Sequence, residues 1–406
     1  MNFQAGRNAE THGMAGDAAL AMALGLAGAI GLGTSRFAYA LVLPDMRQDL
    51  AWSYSEAGWM NGANALGYLV GALTAARLIG RFGAFRTMFA GAVLCVAALI
   101  ACGALRDIGG LSAARLVAGV GGALAFVAGG VLVSAIAERH PQRSGFLLGL
   151  FYAGPGFGIL VSGIGVPAIL QLTGNGGWPM AWIGLGALSL LLLPVLAMGR
   201  RAEIHRAPGT AVRAALRPMA PLLLGYFCFG AGYIAFMTFM IAFVQGHGAG
   251  PVFQSLFWSV IGLGAMASPW LWGGVLRRLG AGKAFALLIA ITATGAALPL
   301  LSGSTPVLVL AAGLFGATFL SVVASTTAFV RRNYAPRAWA AGIGAMTIAF
   351  GLGQTIGPIL TGWLSDLQGG LSSGLGLSAA LLLAGAAIGL LQRDLTASVQ
   401  EDVHQV

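Results

Sequence analysis

From about residue 18 onward the chain alternates between long apolar runs and short polar breaks. Pro, Gly and charge mark off twelve runs, at 18–43, 53–79, 87–105, 111–136, 144–170, 180–198, 218–244, 252–276, 283–301, 306–330, 339–364 and 372–391. A helix needs about 20 apolar residues to cross the hydrocarbon core of a bilayer, and every run is close to that length. The strands of a membrane barrel would instead alternate over about ten residues, and these runs are too long and too continuous for that. The pattern predicts an all-α polytopic membrane protein with twelve spans. The pair 53–79 and 87–105 is the clearest; 372–391, rich in Gly and Ser, is the least regular.

Composition agrees. Of 406 residues, 58% are apolar and 8% charged, where a soluble domain carries roughly 25% charged residues. So few charges could not solvate the surface of a soluble fold this size, so lipid is the expected solvent. The 64 glycines fit helix crossings that bring backbones close together. Cys95 and Cys102 share one run and Cys228 lies in another, which reads as free thiols and not as a disulfide framework. The first 17 residues are polar and mixed in charge, without a cleavable signal pattern, so the first run is expected to stay as an anchor.

Charge then orders the runs in space. The net charge is +10, which would point to nucleic acid only if the basic residues shared one soluble face. They are spread over the loops. With twelve spans, Arg47 and Arg106 fall on one side and Arg36 and Arg115 inside the spans. All other Lys and Arg residues fall on the side of the termini. Such an excess marks the cytoplasmic face, so both termini are expected inside. The predicted organisation is a cytoplasmic tail (1–17), a six-helix half (18–198), a basic linker (199–217), a second six-helix half (218–391) and a cytoplasmic tail (392–406).

The halves also echo each other. Arg81-Phe82-Gly83 after span 2 is answered by Arg278-Leu279-Gly280 after span 8. Pro141-Gln142-Arg143 before span 5 is answered by Pro336-Arg337 before span 11, and Gly154-Pro155 within span 5 by Gly357-Pro358 within span 11. The offsets of 197, 195 and 203 residues fit a duplication of the kind that builds transporters from parallel repeats.

Several stretches now resemble a known family. Arg115-Leu-Val-Ala-Gly119 in span 4 is similar to the R-x-x-x-G motif of the major facilitator superfamily, and Gly154-Pro155-x-x-Gly158 to its GP-containing motif. GTSRFAYALVLPDM (33–46) and NGANALGYLVGA (61–72) resemble the YbfB/YjiJ-type bacterial members. The resemblance covers essentially the whole chain. It implies the two-half fold, a transport role in the bacterial inner membrane, and a central cavity lined by spans 1, 4, 7 and 10. One departure stands out. Where the family's loop between spans 2 and 3 carries an Asp, this chain has Gly80, and the second half has Arg277; the charge latch of that loop is missing or built differently.

The candidate chemistry lies in the few polar groups inside the spans. A charge in a spanning helix costs at least about 2.5–3.5 kcal/mol, so it usually faces a cavity or a partner. Arg36 lies eight residues before Pro44, about 12 Å inside the outer end of span 1 at 1.5 Å per residue, and Arg115 lies at a similar depth in span 4. Bonding to free carbonyls at a glycine-rich crossing is the structural alternative for both. No Asp or Glu lies deep in a span; only Glu56 and Asp366, the candidate proton-linked acids, border the membrane. Two unpaired arginines suit an anionic substrate group. Asn61, Asn64 and Tyr68 share one face of span 2, and Thr318, Ser321 and Ser325 repeat that spacing in span 10. Such stripes more often join helices than bind substrate. Gln354 in span 11 must find partners for its amide. Tyr226 and Tyr233 in span 7 could cover a substrate or pack the core, whereas Trp258, Trp270 and Trp272 read as packing or interface anchors. Gly154-Pro155 and Gly357-Pro358 should bend their helices, as static kinks or as hinges.

Other classes fit poorly. His12, His140, His205, His247 and His404 all fall in tails or loops, and no phosphate-binding Gly-rich Lys loop is present, so an enzyme or an ATP-driven pump is not expected, nor any cofactor or metal. The expected function is alternating-access transport of a small organic anion by a monomer in the lipid bilayer, with no nucleic-acid partner. Proton-coupled drug or metabolite efflux is the alternative within transport, disfavoured by the lack of an embedded acid. A non-transporting membrane sensor or scaffold is the alternative from another class.

Overall fold

The structure is a computed structural model that describes residues 2–202 and 214–395, with backbone alone for residues 2–12 and 281. Most of the expected linker, including Arg206 and Arg213, and most of the C-terminal tail lie outside the described residues. All regular structure among the described residues is helical, joined by short turns and loops, with no strand.

Among the described residues, twelve helices are long and apolar enough to span a membrane. Spans 1 to 6 are Gly13–Asp49, Tyr54–Phe82, Ala84–Ala104, Ile108–Glu138, Pro141–Thr173 and Trp178–Ala202. Spans 7 to 12 are Arg217–Gly246, Pro251–Arg278, Gly282–Leu301, Thr305–Asn333, Pro336–Leu367 and Leu371–Leu390. Spans 1–6 and 7–12 form the two six-helix halves. Ends that share a side with the chain termini are termed the terminal face, and the other ends the far face. Leu172, Leu191, Leu263 and Leu301 stand exposed on the outside, as lipid-facing side chains must.

Local sequence starts and stops these helices. Span 2 opens with a capping box, Ser53 with Glu56, which satisfies two otherwise orphaned N–H groups. Asp107 caps span 4 through the Gly110 N–H. Asp45 accepts from the Gly176 and Trp178 N–H groups where span 6 begins. Span 2 ends at Gly83 with φ of 87°, a backbone region in which glycine avoids the Cβ clash.

Two boundaries differ from expectation. Span 1 does not end at Pro44: the helix passes through it to Asp49. A helical proline forfeits one hydrogen bond, and burial of Val42, Leu43 and Met46 around it offsets that loss. Arg36 therefore lies nearer the middle of the span than a helix ending at Pro44 would place it. At the other end, the expected N-terminal tail is helical from Asn2 onward. The two glycine-proline pairs also behave differently. Span 5 loosens at Ala153, directly before Gly154-Pro155, but keeps its helical bonds there, from the Ala153 N–H to the Gly149 carbonyl and from the Phe157 N–H to the Ala153 carbonyl, whereas span 11 is a continuous helix from Trp339 to Leu367 with Pro358 inside it.

Glycine sets how closely the spans approach. A Cβ on Gly67 of span 2 would strike the Leu116 carbonyl of span 4, and one on Gly58 would strike the Pro358 carbonyl across the two halves. Span 2 packs on span 11, span 5 on span 8, and span 1 on span 7. Along spans 2 and 11 the contacts run from Tyr54 against Gly362 to Leu69 against Gly351, over the far half of both helices. Cavities of about 590 and 100 Å³ lie toward the terminal face.

Candidate functional site

The site begins with a fault in span 1. Residues Ala29–Phe37 form a π-helix, and the Ala38 N–H reaches back five residues to the Gly33 carbonyl (3.1 Å). The next turn is tight, with Leu41 N bonded to the Ala38 carbonyl. Such widened turns recur at functional positions. Here Gly31 lies directly on Gly122 of span 4, and Gly33 on Gly158 of span 5, which holds the turn between two neighbours. Thr34 fixes it further, donating to the Ile30 carbonyl or sharing a hydrogen bond with Ser189 of span 6 (2.9 Å).

Arg115 serves this turn. Its Nη1 donates to the Ser35 carbonyl (2.5 Å), and its guanidinium lies over the rings of Tyr39 (4.9 Å) and Trp182 (5.4 Å). Tyr39 is held by a bond from its hydroxyl to the Ala57 carbonyl (2.8 Å). Behind it, Asn64 Nδ2 donates to the Arg115 carbonyl (3.0 Å). These contacts tie spans 1, 2, 4 and 6 together, which is the carbonyl-bonding alternative for Arg115, although its Nε and Nη2 have no hydrogen-bond partner.

Arg36 has no comparable support. It is 2% exposed, and its Nε and Nη2 have no hydrogen-bond partner. Its guanidinium lies 5.1 Å from the centre of the Tyr68 ring on span 2, and the next residue, Phe37, meets the Phe319 ring that stacks on Tyr233 of span 7. A cation–π contact offsets part of the burial cost but leaves those two nitrogens unused. The Arg36 surroundings therefore bring together Tyr68, Tyr233 and Gln354, whose Nε2 donates to the Tyr233 hydroxyl. The Gln354 Oε1 has no partner and the side chain is fully buried. Asn61 Nδ2 donates to Thr238 of span 7 (2.5 Å); because that hydroxyl spends its own proton on the Ile234 carbonyl, the amide orientation is fixed. The Oδ1 atoms of Asn61 and Asn64 remain without partners.

The polar stripe of span 10 does not join this group. Thr318 pairs with Thr292, Ser321 donates to the Ser268 carbonyl, and Ser325 bonds back to the Val322 carbonyl, all within the second half. The sequence reading also missed residues here. Tyr226, Phe229 and Tyr233 stack on Phe350 with centroids 4.6, 5.9 and 5.6 Å away. Phe319 links Tyr233 to Phe37 of the first half. Trp270 packs on Gly149 and Phe146 across the halves.

The two border acids are engaged on the far face. Glu56 Oε2 accepts from the Ser53 N–H and hydroxyl. Asp366, at the end of span 11, accepts from the Tyr54 N–H (2.8 Å), the Ser55 N–H (2.8 Å) and the Ser55 hydroxyl (2.5 Å). It thus caps span 2 from the opposite half. Arg47 lies over the Tyr54 ring beside it (3.8 Å).

A family described as uncharacterised MFS-type transporter YbfB matches residues 28–390. The chain belongs to this family of the major facilitator superfamily. It is therefore a multi-pass membrane protein with a transporter fold, and family and fold point to transport of a small molecule and away from enzyme chemistry. The uncharacterized transporter YycB of Bacillus subtilis (strain 168) is similar, at 27% identity over 153 residues, a match spanning 37% of this chain and 37% of that protein. A solved bacterial homologue of the human lysosomal transporter Spinster, in an inward-facing and unoccupied conformation, has a TM-score of 0.71 at 16% identity, covering 96% of this chain and 98% of that one. The nucleoside transporter NupG has a TM-score of 0.69 at 14% identity, covering 92% of this chain and 98% of that one. At these identities the likeness establishes the major facilitator fold alone.

Proposed function

We propose that this major facilitator protein moves a small organic anion across the bacterial inner membrane by alternating access, as a monomer with both termini in the cytoplasm. Arg36 receives the anionic group. The observation that carries this reading is a buried guanidinium at the contact between the halves whose Nε and Nη2 have no hydrogen-bond partner and which, unlike that of Arg115, is not bonded to a carbonyl of the fold. Arginine is charged at every physiological pH, and its planar fork matches carboxylate or phosphate oxygens. Tyr68, Tyr233 and Gln354 supply hydroxyl and amide groups around the same point, so a hydrogen-bonding anion fits better than a bare hydrocarbon. A lipophilic cation would be repelled, and the efflux alternative lacks an embedded acid, since Glu56 and Asp366 both serve helix ends.

The test is a ligand-stabilisation screen of acids, amines and sugars against the purified wild type and Arg36→Gln. The expected result is that acids alone raise the melting temperature of the wild type and that Arg36→Gln loses the response. Stabilisation by amines or sugars, equal in both proteins, would overturn the anion reading.

A further inference from the structure

Among the described residues, the second half holds another cluster of cations without an ion pair, at the terminal face and not at the Arg36 depth. The ends of spans 8 and 10 and the start of span 9 enclose the cavity of about 590 Å³. Arg277, Arg331 and Arg332 line it together with Leu276, Ala328 and Phe329. All three arginines are exposed at this face, and each has a neighbour. Arg332 Nη1 donates to the Leu279 carbonyl (3.2 Å), Arg331 lies over the Trp339 ring (5.3 Å), and Arg277 lies along its own helix against Gly273.

Among the described residues none of the three forms an ion pair. Asp394 sits over Gly280 at the turn between spans 8 and 9 without bridging to any of them. The corresponding end of span 4 is treated differently: there Arg139 and His140 both meet Asp17, at 3.4 and 2.9 Å. At the end of span 4 two basic residues thus meet an acid, whereas the ends of spans 8 and 10 gather three guanidinium groups around an open space. Like charges held around one cavity repel each other, and an anion placed among them relieves that repulsion.

We propose that this cavity binds a phosphate-class anion, either the headgroup of an anionic phospholipid or a soluble phosphate. Arginine forks suit phosphate oxygens, and basic pockets between spans on the positively charged side of a membrane protein are suited to anionic headgroups. The volume lies within the roughly 300–1,000 Å³ of ligand pockets, and the apolar part of the lining gives a glycerol or acyl segment a surface to rest on. The site does not depend on the Arg36 reading and stands even if the transported substrate is not an anion.

Full-length protein is titrated in detergent, at constant ionic strength, with inorganic phosphate and separately with phosphatidylglycerol against phosphatidylcholine, with melting temperature as the readout. Saturable stabilisation by phosphatidylglycerol but not phosphatidylcholine assigns the site to a lipid headgroup; saturable stabilisation by inorganic phosphate assigns it to a soluble anion. In either case the apparent affinity should fall at least tenfold in Arg277→Gln/Arg331→Gln. The charge-preserving pair Arg277→Lys/Arg331→Lys serves as the folding control and should retain part of the response. No response in the wild type to either probe, or a response that the Gln pair leaves unchanged, overturns the proposal.

Discussion

Arg36 and Arg115 show how two arginines at similar expected depths part company once their neighbours are in place. Arg115 props the widened turn of span 1, so its removal should act on folding. Taking one partner from a buried charged contact costs about 3–5 kcal/mol, and Arg115→Gln should lower thermal stability by that order, read from melting of the purified protein. Arg36→Gln should melt close to the wild type, because no hydrogen bond of the fold depends on its Nε or Nη2. Arg36→Lys should restore anion binding only in part, since the charge returns without the fork. Equal destabilisation by Arg36→Gln and Arg115→Gln would contradict this division of labour. The sequence made both arginines visible, because a cation inside an apolar run stands out. It could not divide their roles, which depend on the Ser35 carbonyl, a group no side-chain pattern reveals. Likewise Asn61, Asn64 and Tyr68 were legible as one helix face, but Phe319 and Phe350 were not, since phenylalanines in an apolar span carry no mark of which neighbour they will meet.

At the scale of elements, span 1 and the contact between spans 2 and 11 carry the least expected features. The polar run Gly-Thr-Ser-Arg at 33–36 is the sequence trace of the π-helix, yet the i to i−5 bonding itself comes from close packing on Gly122 and Gly158. Asp366 was visible as a border acid, but not as a cap for a helix 311 residues away; only the folded arrangement joins them. An N-cap contributes about 1 kcal/mol, and 1 kcal/mol is about a fivefold shift in a two-state population. Asp366→Asn should therefore loosen the far face, since one amide oxygen cannot accept both N–H groups as two carboxylate oxygens do. Spin labels on the far ends of spans 2 and 11 should show a broader, longer distance distribution in the variant. An unchanged distribution would reduce Asp366 to an ordinary surface acid. For Gly154-Pro155 the prediction concerns rate: Pro155→Ala should restore the backbone donor that the proline lacks and alter transport rate more than substrate affinity. A rate equal to the wild type in a well-expressed Pro155→Ala protein would make that loosening a static feature.

Over the whole molecule, the number of spans and the two-half plan were legible because lipid imposes a length on every crossing helix and penalises charge within it. Span ends were less so: Pro44 looked like a terminus, and tertiary packing carried the helix past it. Orientation rests on the loop charges, and a reporter fused after Arg206 should report the cytoplasm while one within 246–250 reports the periplasm. Uptake into proteoliposomes tests the central account most directly, using the acid that best stabilises the purified protein. The account predicts time-dependent accumulation of that acid with the wild type, and none with an Arg36→Gln protein that still melts cooperatively. Equal uptake by both proteins, or uptake of an amine or a sugar in place of the acid, would contradict it.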